Sequence, residues 1–223
     1  MYNGNWGATN VASPDGNDYV TLSITNSTGT NPAGAEMFTV DPGGGQFGYG
    51  TYTLVVGTRL DTLPTGVVFG GLFTYEDKTV TGTTAITNNE IDINETSDWG
   101  NGTGVNTSHN YFINSGGVKT GVDDPFTTTT DTVTTHVLIW QPGQLTFNSY
   151  SGTGTGGTLL KHTVATSNIP VPTGNEFVDI NLWVFAGAHN TPASTPATSV
   201  TLRNFTFVPY ATPVTGTNKF FFV

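Results

Sequence analysis

The chain contains no cysteine, which excludes disulfides, thiol catalysis and cysteine-ligated zinc. It is also poor in positive charge: six Lys and Arg stand against sixteen Asp and Glu in 223 residues, for a net charge of −10. Gripping a nucleic-acid backbone takes clustered Lys and Arg, so that class of partner is excluded. The same deficit disfavours polyanionic substrates such as heavily sulfated polysaccharides. No apolar run is long enough to cross a membrane as a helix. No window sustains a hydrophobic period of 3.6 residues, so long amphipathic helices are not expected. Residues 1–20 lack the charged and apolar regions of a signal peptide. The chain is then expected to be either cytoplasmic or viral, or a mature domain trimmed of its leader; the polar, Thr/Asn/Gly-rich composition favours the second, a monomeric domain that acts outside the cell.

What the chain does have is glycine (29 residues), abundant Thr and Asn, and 12% aromatic residues. That mixture favours short strands separated by turns. Strands are expected around Trp6–Val11, Tyr19–Ile24, Tyr49–Val56, Val67–Tyr75, 89–95, Val105–Ile113, His136–Trp140, Leu145–Tyr150, Thr158–Val164, Gly174–Phe185 and Val200–Val208. Gln141-Pro142-Gly143-Gln144 reads as a hairpin turn, and the Thr-rich run 127–135 as an exposed connection. The adjacent Gly70 and Gly71 suggest close approach of another backbone or a flat floor for a ligand. Gly152-Thr-Gly154-Thr-Gly156-Gly157 matches a dinucleotide fingerprint in letters only, because a strand follows it where a helix would be needed. There is no linker and no internal repeat. Residues 1–223 are expected to form one all-β domain, a sandwich of two sheets.

The chemistry concentrates in Glu90-Ile91-Asp92-Ile93-Asn94-Glu95. Only 10% of the chain is charged, yet three carboxylates fall within this stretch and alternate with isoleucine, the period of a strand with one polar and one buried face. On a regular strand Glu90, Asp92 and Asn94 share a face and Glu95 points the other way. One extra residue, a β-bulge, would return Glu95 to the side of Glu90 and Asp92. The plainer reading is an acidic edge strand whose charges discourage aggregation.

The order of landmarks resembles glycoside hydrolase family 16, the laminarinases, lichenases and related β-glycanases. Glu90, Asp92 and Glu95 fit the family's bulged E-x-D-x-x-E hallmark. Tyr49-Gly50-Thr51-Tyr52 is similar to its YGxYE strand, with Thr53 in place of the acid. Asn110-Tyr111-Phe112 resembles the NYY strand of lichenases, and Trp140-Gln141-Pro142 with Leu145 and Phe147 resembles their W-Q-P hairpin. Leu160–Thr163, Ile180–Trp183 and Trp6–Val11 also have counterparts, so the likeness runs through residues 5–208.

The resemblance implies a β-jelly roll of two curved antiparallel sheets of the concanavalin A-like type. It also implies hydrolysis of β-1,3- or mixed β-1,3/1,4-glucan with retention, which needs two carboxyl groups ~5–5.5 Å apart. On that reading Glu90 is the nucleophile, Glu95 the acid/base and Asp92 an auxiliary that orients the nucleophile. Trp183 and Asn181 share a strand face that would line the cleft, with Trp99 and His109 as further substrate contacts. Trp140 and Phe147 read as core; Trp6 and His136 are open between cleft and core; His189 reads as a loop residue. No cofactor is required, and a structural calcium is an expectation of the resemblance alone. A β-galactan such as agarose is the next substrate, and a non-catalytic carbohydrate-binding module on the same fold is the rival from another class.

Overall fold

The computed structural model describes residues 5–25, 33–39, 47–75, 89–115, 118–174, 176–185 and 196–210. Within them lie β1 (Asn5–Trp6), β2 (Val20–Ile24), β3 (Ala33–Thr39), β4 (Gly50–Val56), β5 (Val67–Tyr75), β6 (Asn89–Ser97) and β7 (Asn106–Ser115). There follow β8 (Val118–Thr127), β9 (Thr134–Gln141), β10 (Gln144–Ser151), β11 (Leu159–Ala165), β12 (Phe177–Val184) and β13 (Thr198–Pro209). Two sheets stack face to face, a seven-stranded one in the order β1-β3-β12-β5-β6-β7-β8 and a six-stranded one in the order β11-β10-β9-β4-β13-β2. All neighbours are antiparallel except β1, which runs parallel to β3.

Alternation drives the packing. On β12, Val178, Ile180, Leu182 and Val184 are buried between the sheets while Phe177, Asp179, Asn181 and Trp183 face outward. The six-stranded sheet meets them with Leu22, Leu54, Leu138, Trp140, Leu145, Phe147 and Leu202, all in the shared core. Trp140 and Phe147 are fully buried as expected, and the Trp140 indole N–H donates to the Pro170 carbonyl at 3.0 Å. The β9–β10 hairpin turns at Gly143, whose φ of 75° fits the third position of a type II turn.

Several expectations shift. The stretch expected as a strand at Trp6–Val11 is strand only at Asn5–Trp6, then a single 3-10 turn at Ala8–Asn10. Strands β3 and β8 were not foreseen. Ala33-Gly-Ala-Glu-Met-Phe-Thr has weak strand propensity, and pairing to β12 imposes its conformation. Strand β8 carries Gly121 and Pro125, which an edge strand tolerates. In the Thr-rich run, Thr128, Thr134 and Thr135 are buried rather than exposed.

Candidate active site

Strand β6 is interior to the seven-stranded sheet, between β5 and β7, so its acids do not guard an edge. Against β7, Glu90 pairs with Phe112, Asp92 with Asn110 and Glu95 with Ser108, with a break in register between Asp92 and Glu95. Two residues, Ile93 and Asn94, therefore oppose the single His109, which is the bulge expected for this stretch. Ser108, Asn110 and Phe112 lie on one face of β7, so Glu90, Asp92 and Glu95 lie together on the outer face of the sheet.

The bulge is not confined to β6. On β5, Phe73 pairs with Asp92 and Gly70 with Glu95, so Gly71 and Leu72 sit opposite Ile93 and Asn94. On its other side β5 meets β12 through Asp179–Phe73 and Asn181–Gly70, where only Ile180 intervenes. Two adjacent strands thus each carry one surplus residue between regular neighbours. The glycine pair makes room for it. A side chain on Gly70 would strike the Asn181 amide, and one on Gly71 would strike the Asn94 amide. The glycines admit neighbouring side chains, rather than the backbone or flat ligand the sequence suggested.

Asn110 reaches Glu95 directly, its Nδ2 donating to Oε2 at 2.8 Å. Across the sheet, Asn181 pairs with Glu36 of β3 and with Gly70, the partner of Glu95. Burial raises the pKa of Glu36, opposed by its hydrogen bond with Asn181. Trp183 lies on the same face as Asn181, as expected. Trp99, in the loop after β6, stands against it with ring centroids 6.3 Å apart at 68°, and Phe185 completes the cluster. At the opposite end, Phe38 is 61% exposed and packs edge-on against Phe177. Trp6 is 41% exposed and lies over Gly34, beside β3.

His109 is a correction. Strand alternation turns it away from Ser108 and Asn110 into the space between the sheets, where it is 1% exposed and stacked on Phe147 at 5.1 Å. It does not reach the acids; its neighbour Asn110 does. The run Ser108-His109-Asn110-Tyr111-Phe112 has no polar–apolar alternation, so its parity was unreadable until the Glu95–Ser108 pairing placed it. His136 is also internal. His189 lies outside the described residues. Glu36 had no signal in the sequence, its strand β3 being unforeseen, and Asn110 stood out only as the first residue of the stretch that resembles the NYY strand.

The outer face carries the carboxylates of Glu36, Glu90, Asp92, Glu95, Asp123 and Asp179. Among the described side chains, no Lys or Arg lies on it. The described cations are elsewhere: Arg59 pairs with Asp61, Lys161 with Asp124, and Arg203 lies over the Tyr19 ring. Among the described residues no group of three or more His, Asp or Glu could hold a metal ion, so the calcium that the resemblance implies is assigned no ligands.

No family model matches the sequence, and no curated protein sequence matches it. Solved structures do match in fold. A Bacteroides ovatus mixed-linkage-glucan GH16 protein, solved with a G4G4G3G product, shares 14% identity over 91% of this chain and 87% of its own, with a TM-score of 0.60. A β-1,3-glucanase from Mycobacterium marinum shares 17% identity over 87% of this chain and 76% of its own, at 0.57. The κ-carrageenase from Pseudoalteromonas carrageenovora shares 11% identity over 93% and 86%, at 0.58. The chain has the jelly-roll sandwich fold of the family 16 glycoside hydrolases.

Proposed function

We propose that this chain is a glycoside hydrolase of the family 16 type, a secreted retaining endo-enzyme acting on neutral β-1,3- or mixed β-1,3/1,4-glucan. The observation that carries the reading is the bulge, which brings Glu90, Asp92 and Glu95 onto one face with Asn110 hydrogen-bonded to Glu95. Glu90 attacks the anomeric carbon while Glu95 protonates the departing glycosidic oxygen, leaving a glycosyl ester on Glu90. Glu95, now ionised, then takes a proton from water as the water displaces Glu90 from the sugar. Asp92 lies between them on the same face and orients the nucleophile. Asn110 fixes the Glu95 carboxyl on the β7 side.

The substrate class follows from charge. An outer face rich in carboxylates, with no described cation, repels sulfated or uronate chains and suits a neutral one. The glucanases among the similar folds fit that preference better than the carrageenase does.

The test is release of reducing ends from laminarin, barley β-glucan, agarose and κ-carrageenan. Product from the glucans is expected, and Glu90→Ala should lose it by at least about a thousandfold, as removal of a covalent catalyst does. Activity of Glu90→Ala within several-fold of the parent would reject the nucleophile. Binding of laminarin without product would instead support a carbohydrate-binding module.

A further inference from the structure

Trp99 has a φ of 53°, in the left-handed region that a bulky side chain rarely occupies. Its ring is half-buried and so is not a core anchor. Such a backbone persists only where its surroundings over-determine it, and at Trp99 they do. The Trp99 N–H donates to Ser97 Oγ at 2.9 Å, and the Ser97 hydroxyl donates to the Val67 carbonyl at 2.9 Å. Asp98, itself buried, does the rest. Its Oδ1 accepts from the Gly66 N–H at 2.8 Å and the Gly100 N–H at 2.9 Å, and its Oδ2 accepts from the Gly102 N–H at 3.1 Å.

Gly66 belongs to the turn that precedes β5, and its carbonyl accepts the Phe185 N–H at 2.7 Å. One carboxylate therefore ties the loop of Trp99 to the same turn that anchors Phe185. The Trp99 ring meets Phe185 at 5.3 Å and 89°, and Trp183 at 6.3 Å and 68°. Trp99 follows Glu95 by four residues, and Trp183 follows Asn181, whose strand partner Gly70 also pairs with Glu95. The two indoles form a corner on the Glu95 side of the acids.

We propose that Asp98 is a positioning residue: it holds Trp99 upright against Trp183, and the corner they form takes the apolar face of a β-linked glucose unit bound on the Glu95 side. The proposal rests on the glucanase reading for the identity of the sugar. β-Glucose carries its ring hydroxyls equatorially, leaving axial C–H groups to lie on an indole. In galactose the axial 4-hydroxyl sets a polar group on one of the two ring faces, so only the opposite face could lie on an indole.

Near-UV circular dichroism, laminarihexaose titration by tryptophan fluorescence, and kcat and KM on laminarin test it in Asp98→Ala, Trp99→Ala and the double variant. Asp98→Ala should lose the coupled indole signal, weaken laminarihexaose binding about tenfold and raise KM similarly, with kcat falling no more than about twofold. The double variant should be no worse than Trp99→Ala alone, because both remove one interaction. Unchanged near-UV signal and KM in Asp98→Ala, or effects that add in the double variant, would overturn the proposal. If Asp98→Ala does not fold, Trp99→Gly decides. Glycine accepts the left-handed backbone, so Trp99→Gly should melt above Trp99→Ala and bind as weakly, and the reverse order of melting would overturn it. The two readings fail separately. No hydrolysis by the parent, with hexaose binding lost in Asp98→Ala, removes the hydrolase and leaves the corner; hydrolysis with unaltered KM does the opposite.

Discussion

Asn94 is the residue that the bulge costs most. It is 0% exposed, and both its Oδ1 and Nδ2 are buried without a hydrogen-bond partner. Burying an unpaired amide forfeits water contacts that nothing replaces, at about 1–3 kcal/mol per group. Leucine has nearly the same shape and no polar atoms. Asn94→Leu should therefore stabilise the fold by about 1–3 kcal/mol, read as a higher denaturant midpoint at unchanged m-value, with activity on laminarin retained within several-fold. A lower midpoint would mean that the amide has a partner the folded chain hides, such as a bound water. Glu36 and Asn110 make the contrasting case, since each has at least one charged or amide partner on a neighbouring strand.

At the scale of strands, the sandwich is stitched at one side by a buried polar chain that links β8, β11, β7, β10 and β9. The Thr163 hydroxyl donates to Asp124 Oδ2 at 2.6 Å. Thr163 must therefore accept from His109 Nδ1, 2.9 Å away. His109 Nε2 then accepts from the Ser149 hydroxyl, Ser149 accepts from His136 Nδ1, and His136 Nε2 accepts from Thr134, each at 2.9 Å. With both histidines neutral, every hydroxyl and ring N–H has one direction that satisfies all, and the proton of each ring sits on Nδ1. Burial accordingly lowers the pKa of each to about 3; nearby Asp124 opposes this at His109, while Lys161 and His162 reinforce it, and His109 reinforces it at His136. In the unfolded chain both titrate near 6.5. Their contribution is present above that value and is lost as pH falls from about 6.5 towards 3, at up to ~2.7 kcal/mol per pH unit for two protons. Asp98 and Asp124 have lowered pKa values: burial opposes this at both, but it is outweighed by hydrogen bonds from Gly66, Gly100, Thr65 and Gly102 at Asp98, and by Lys161 and Thr163 at Asp124. These carboxylates lose their contribution only below about pH 4. Between pH 6 and 5 the histidines dominate, so urea stability should fall steeply there in the parent and about half as steeply in His136→Phe. Equal slopes would show that His136 is protonated in the folded chain.

For the molecule as a whole, the sandwich, most of its strands and the acid-bearing face were legible, because alternation such as Ile91 and Ile93 on either side of Asp92 reports directly which side is buried. The parts that escaped are those whose conformation is set by a partner strand. Strand β3 has little propensity of its own, and its Glu36 gains meaning only opposite Asn181. His109 and Asn110 are adjacent polar residues, and which of them faces Glu95 depends on the register of β7 against the bulged β6. The bulge itself was readable on β6, but its twin on β5 was not, since Gly70-Gly71 declares only that space is needed. That twin makes the two strands one structural unit. Deleting Asn94 alone would leave Glu90, Asp92 and the shifted Glu95 in ordinary alternation, yet strand it against a β5 that still bulges, and the protein should melt well below the parent. Removing Gly71 as well would make the ladder regular from β12 to β7 and should recover much of the lost melting temperature. An insertion or deletion at the acids is thus tolerated only when its hairpin neighbour changes length in step.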